Sequence, residues 1–88
     1  MIHLTGAMTC PPDRRDAVRA ALPAHIALTR QETGCITFDV AETTPGVFTV
    51  SETFADQAAF DTHQQRAGAS EWAEVTAGLP RNYTVTKG

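Results

Sequence analysis

Cys35-Ile36-Thr37-Phe38-Asp39-Val40-Ala41, Glu42-Thr43-Thr44-Pro45-Gly46 and Val47-Phe48-Thr49-Val50-Ser51-Glu52-Thr53-Phe54 follow one another in the chain. The outer two segments alternate apolar and polar residues with the period of a half-buried strand. The Pro-Gly between them is turn chemistry, so the stretch predicts a β-hairpin. Ile36, Phe38 and Val40 share a face, which meets Phe48, Val50 and Phe54 on the returning strand. Strict alternation puts Glu52 on that same apolar face. A carboxyl there must be hydrogen-bonded, paired or protonated. It is placed to orient a histidine, to bind a substrate hydroxyl, to make a structural bond to a strand-end N–H, or to escape to solvent through a bulge.

Upstream of the hairpin, Ile2 to Thr9 alternates as a strand, with Ile2, Leu4 and Met8 on one face and His3, Thr5, Ala7 and Thr9 on the other. Cys10-Pro11-Pro12-Asp13 breaks it and starts a helix, where proline is tolerated in the first turn and Asp13 and Asp16 favour the positive end of the dipole. Val18, Leu22 and Ile26 recur at intervals of four, with Ala21, His25 and Thr29 on the same stripe. Pro23 interrupts without changing the phase, which predicts one kinked helix of about five turns. Thr33-Gly34 is expected to end it, with the glycine in the left-handed position.

Downstream, Ala55 to about Ala67 reads as a second helix with Ala59, Phe60, His63 and Ala67 inward. Ser70 is a candidate cap for a short helix, Glu71 to Ala77, that carries Trp72. Gly78-Leu79-Pro80 stops it, and Arg81 to Thr86 is a last strand. The order βαββαβ, with right-handed uncrossed connections, predicts a single α+β domain over residues 1–88. Its fold class is ferredoxin-like: an antiparallel four-stranded sheet with the helices on one face.

The chain has 88 residues, 42% of them hydrophobic and 19% charged, as in a globular domain. Seven Lys+Arg against ten Asp+Glu give a net charge of −3 without a basic cluster, which argues against a nucleic-acid partner. No apolar run approaches the roughly 20 residues of a membrane helix, and the start of the chain lacks a signal-peptide layout. In the expected sheet Cys10 and Cys35 lie at opposite ends of parallel strands, on the order of 20 Å apart, and so are free thiols, consistent with a cytoplasmic protein. The second sheet face carries Thr5, Ala7, Thr37, Thr49, Thr53 and Thr84. Such a face, on a domain this small, suits packing against its own copy in a homodimer.

The candidate site residues come from the faces. His63 follows Phe60 by one turn on the buried stripe, where low dielectric favours the neutral imidazole of a general base; a structural core histidine has the same pattern. His25 lies on the inner stripe of the first helix, within reach of the same cavity. His3 belongs to the opposite sheet face, so the three histidines do not form a metal triad, and no metal is expected. Trp72 is placed to roof a pocket and stack on a flat ligand, and Tyr83 to offer a hydroxyl. Phe38, on the inner sheet face, and Phe60 are further candidate substrate contacts. Arg66 and Arg81 read as solvated surface charges. No phosphate loop, GxSxG elbow, HExxH or haem-attachment motif occurs.

Gly34 to Val40, Phe48 to Asp56 and Ala58-Ala59-Phe60-Asp61-Thr62-His63 together resemble the antibiotic biosynthesis monooxygenase (ABM) domain family. The shared features are a glycine opening the second strand, a Glu-x-aromatic ending the third, and an Ala-Phe-x-x-His-like run on the next helix. The resemblance implies a dimeric α+β barrel with a cavity between sheet and helices in each subunit. It further implies a cofactor-independent monooxygenase acting on a quinol or polycyclic phenol with dioxygen, needing neither flavin nor metal. His63 and Glu52 match positions in the family pattern, and on this reading His63 is the expected base and Glu52 its orienter or a substrate hydrogen-bond partner. The haem-degrading branch fits poorly: Thr5-Gly6 stands where that branch has asparagine, and no histidine occurs near Trp72-Ala73-Glu74. Two alternatives stay open on the same scaffold, a non-catalytic dimeric binder of a small hydrophobic ligand and a non-oxidative isomerase.

Overall fold

The hairpin forms where its alternation places it. In the computed structural model, which describes residues 1–88, β2 (Cys35–Thr44) and β3 (Val47–Phe54) run antiparallel about Pro45-Gly46. Gly46 has φ +83°, and a Cβ there would meet the carbonyl oxygen of Cys10 at 2.5 Å, so both conformation and crowding call for glycine. Glu42 clasps the turn by accepting from Gly46 N at 2.8 Å and from the Arg19 guanidinium at 2.7 and 2.6 Å. The Arg19 hydrogen bonds hold its carboxyl down at about 2.

β3 pairs on its other side with β1 (Ile2–Thr9), and β1 with β4 (Arg81–Lys87), giving the antiparallel order β2-β3-β1-β4. This is the ferredoxin-like arrangement. A bulge between Cys35 and Thr37 alters the expected face assignment at one residue. The extra residue shifts the phase by one, so Ile36 points out and is 50% exposed, while Cys35 packs against the core in its place. Both cysteines are free, at opposite ends of the sheet.

α1 (Arg15–Arg30) follows a single 3-10 turn, Pro12–Arg14. Pro23 lies inside it, and its buried stripe is Val18, Ala21, His25 and Thr29, with Leu22 and Ile26 at the margin. The helix ends at Arg30 with Gln31 as its cap, and Gly34 does not adopt a positive φ. The expected left-handed cap is therefore absent. Gly34 is needed for another reason: a Cβ there would collide with the Cβ of Ala59. Gly34→Ala should lower stability by about 1–3 kcal/mol, as overpacking does. Urea denaturation would read this, and adding Ala59→Gly should restore most of the loss.

α2 (Gln57–Gly68) starts two residues later than its apolar pattern suggests, because Asp56 caps it by accepting from Ala59 N at 2.8 Å. α3 (Glu71–Val75) is capped by Ser70, as expected. Both long helices bury their stripes on the apolar sheet face, which gathers two core clusters. Ile2, Leu4, Val50, Phe54 and Phe60 form one, beneath α2. Met8, Cys10, Val18, Phe48 and Leu79 form the other, beneath α1. Leu4 pairs with Val85 and Gly6 with Tyr83, so those β4 side chains share the helix-facing side of the sheet. They stay 50% and 37% exposed, because no helix covers this edge strand. No helix is long and apolar enough to cross a membrane.

Candidate functional site

Capping at Asp56 sets the phase of α2, and that phase turns Phe60 and His63 toward the sheet. The two part ways there. Phe60 sinks into the core, edge-on to Phe54 at 5.8 Å, and does not line the cavity as expected. One turn later the side chains no longer meet tight packing. The His63 ring stacks on Phe54 at 4.9 Å and lies 5.6 Å from Phe38, with only 4% of its side chain exposed.

The two ring nitrogens of His63 have different surroundings. Nδ1 is 3.0 Å from Oε2 of Glu32, in the turn after α1. The same oxygen accepts from Arg66 Nε at 2.7 Å, and Arg66 also donates to Thr29 Oγ1 at 2.8 Å. Arg66 is thus half-buried and bonded to Glu32 and Thr29 rather than the solvated charge expected. A carboxylate so held only accepts, so the imidazole donates from Nδ1, and in the neutral ring Nε2 carries the lone pair. Glu32, not Glu52, orients this histidine. It escaped the sequence reading because the loop Gln31-Glu32-Thr33-Gly34 has no periodicity; the only signal was Arg66, three residues after His63, needing an anion.

Glu52 faces the other nitrogen. Its Oε1 lies 3.7 Å from His63 Nε2, beyond hydrogen-bond reach, and has no partner in the structure. Burial, with a lesser contribution from the charge of Glu32, pushes the Glu52 carboxyl up to about 7. His25 stands on the far side. It stacks on Trp72 with ring centroids 4.8 Å apart and planes 6° from parallel, meets Phe38 edge-on at 5.3 Å, and is 6.1 Å from His63. Its Nδ1 is buried without a partner. Burial, then the nearby His63 and Arg66, bring its pKa down to about 4, so the ring is neutral near pH 7.

These groups line a half-open cavity of about 310 Å³ between sheet and helices. Leu4, Phe38, Val40 and Val50 give its apolar floor and Trp72 a wall, with Glu52, His25 and His63 as polar points. Tyr83 and Arg81 reach it from β4. Burial raises the Tyr83 phenol above its usual pKa. Arg81, also expected to be solvated, donates to the Thr76 carbonyl at 3.0 Å and to Thr76 Oγ1 at 2.7 Å, which pins it beside α3. The sequence-derived candidates His63, Glu52, His25, Trp72, Tyr83 and Phe38 therefore converge, and Phe60 does not. His3 lies on the other sheet face, within 3.1 Å of Thr53 Oγ1.

The sequence profile described as "Antibiotic biosynthesis monooxygenase" (ABM) matches residues 1–75. The chain belongs to the ABM family. That match includes Glu32, Glu52, His63 and Trp72 and stops short of β4. The ABM domain is similar in structure to a candidate antibiotic biosynthesis monooxygenase from Nitrosomonas europaea, with a TM-score of 0.84 at 19% identity over 100% of this chain and 98% of that one. It is also similar to one from Deinococcus radiodurans, with a TM-score of 0.84 at 22% identity over 100% and 92% of the two chains. A Mycobacterium tuberculosis protein is 28% identical over 99% of this chain and 93% of its own, with a TM-score of 0.77. Among curated proteins none matches this chain.

Proposed function

We propose that this ABM domain is a cofactor-independent monooxygenase of a quinol or polycyclic phenol. The observation that carries the reading is His63 Nε2, turned toward the cavity and its apolar floor by the Glu32 bond at Nδ1, with the lone pair of the neutral ring on that nitrogen. A base so fixed takes the proton of a ring hydroxyl. The aryl oxide then passes one electron to dioxygen, and the resulting radical pair joins in a C–O bond. The peroxide anion takes back the proton held by His63, and the hydroperoxide then loses the ring hydrogen with its outer oxygen as water to leave a quinone, so phenol and dioxygen become quinone and water in balance. The substrate ring sits over the floor formed by Leu4, Phe38 and Val50, with Trp72 against it. Closure of the uncovered β4 edge, and burial of the Thr-rich sheet face, favour a homodimer of the barrel type.

Oxygen uptake by the purified protein with a panel of hydroquinones and naphthols tests the proposal. One dioxygen consumed per substrate, above autoxidation, is the expected result, with none converted under argon. Conversion under argon identifies a non-oxidative enzyme instead. Saturable binding without any conversion identifies a carrier. Either outcome overturns the oxygenase reading.

A further inference from the structure

Glu52 is a buried carboxyl with one oxygen, Oε1, that has no hydrogen-bond partner. Its side chain is 8% exposed, its Oε1 is unpartnered, and it shares the cavity with the free nitrogen of His63 at 3.7 Å. The titratable and charged groups around it are His63 from α2, Glu32 from the turn after α1, His25 from α1, the neutral Cys35 thiol from β2, and Arg81 and Tyr83 from β4. None makes a hydrogen bond or close ion pair that would hold an anion there. His63 Nε2 lies beyond hydrogen-bond reach, the charge of Glu32 is repulsive, His25 is neutral near pH 7, and Arg81 turns its Nη2 to Thr76 and forms no ion pair with Glu52.

We propose that Glu52 works as a neutral carboxylic acid that donates a hydrogen bond, and that with His63 Nε2 it forms a two-point receptor for one aryl hydroxyl oxygen. This rests on the reading of His63 as the base. An oxygen about 2.8 Å from both atoms, an ordinary hydrogen-bond length, sees them at about 80° across their 3.7 Å separation. That angle lets one hydroxyl give its proton to Nε2 while a lone pair accepts from the Glu52 O–H. On transfer, the aryl O–H bond breaks, an N–H bond forms at Nε2, and the electron pair stays on oxygen. Glu52 keeps its own proton throughout and stabilises the aryl oxide. The imidazolium that results is stabilised from behind by Glu32. An ionised Glu52 would do the reverse, repelling the oxide it faces. The pKa of about 7 supports the neutral form below neutral pH.

Equilibrium binding of 2-naphthol under argon tests this, read by fluorescence of the single tryptophan, Trp72, on the cavity wall. Wild-type affinity should hold steady at pH 6 and fall about tenfold by pH 8, the scale of one buried hydrogen bond lost. Glu52→Gln keeps a neutral donor, so its affinity should stay within about threefold of the pH 6 value, without the step. Glu52→Leu should bind about tenfold more weakly at every pH. A step that survives in Glu52→Gln, a Gln variant as weak as Leu, or no saturable naphthol binding would each overturn the proposal. Should the Leu variant not fold, the Gln variant still decides. The assay holds no dioxygen, so it fails separately from the oxygenase reading: correct binding with no oxygen uptake overturns that reading and leaves this one standing.

Discussion

His63→Ala lowers oxygen-dependent turnover by about 10²–10⁴-fold, the usual loss when a positioned base is removed. The apolar floor and Trp72 do not depend on His63, so KM should change far less than kcat. The fold should survive as well, because Glu32 keeps its bond to Arg66 at 2.7 Å and Arg66 keeps Thr29. Circular dichroism and steady-state oxygen uptake together check the expectation. Glu32→Gln separates the base from its support. The amide oxygen still accepts from Nδ1, so the tautomer stays, but the charge that stabilises the imidazolium is gone. Its turnover should fall between wild type and His63→Ala, with naphthol affinity little changed. Full activity in His63→Ala would remove the mechanism.

Why the sequence yielded His63 but not Glu32 has a physical answer. Residues on helices and strands announce their facing through periods of 3.6 and 2, and those periods put His25, His63, Phe38 and Glu52 on inner faces. The strand order followed from the element order and connection rules. Errors arose where something local overrode the period. The bulge at Cys35–Thr37 turned Ile36 outward, and a bulge has no reliable mark in one sequence. Gly34 was correctly singled out as special but for the wrong cause, since close approach to Ala59 is a tertiary fact. Arg66 and Arg81 look like any exposed arginine until their partners across 34 and 5 residues are placed. Phe60 and His63 sit on one stripe, and only the depth of packing under each end of α2 sends the first into the core and the second to the cavity.

Two buried groups with opposite shifts make the protein's stability flatter in acid than either would alone. Glu52 has its pKa raised from 4.5 to about 7 in the fold. The folded chain therefore binds the proton more tightly, and this contribution is complete below pH 4.5 and lost as pH rises through 7. His25 has its pKa lowered from 6.5 to about 4, so its contribution is present above pH 6.5 and lost as pH falls through 4. Between pH 6.5 and 4.5 the two slopes have opposite sign and largely cancel. Each pKa unit corresponds to about 1.4 kcal/mol, which gives about 3 kcal/mol for Glu52. His25 contributes less, about 2 kcal/mol, because solvent reaching the cavity screens it. Removing one partner exposes the other. Glu52→Gln should be more stable than wild type by about 3 kcal/mol at pH 8, and should lose about 2 kcal/mol on acidification from pH 6.5 to 4. His25→Phe should instead gain about 3 kcal/mol between pH 7 and pH 4.5. Urea denaturation across this range checks both, and the double variant should be level again. Parallel pH profiles for wild type and both single variants would show that neither group is held in the form its burial demands.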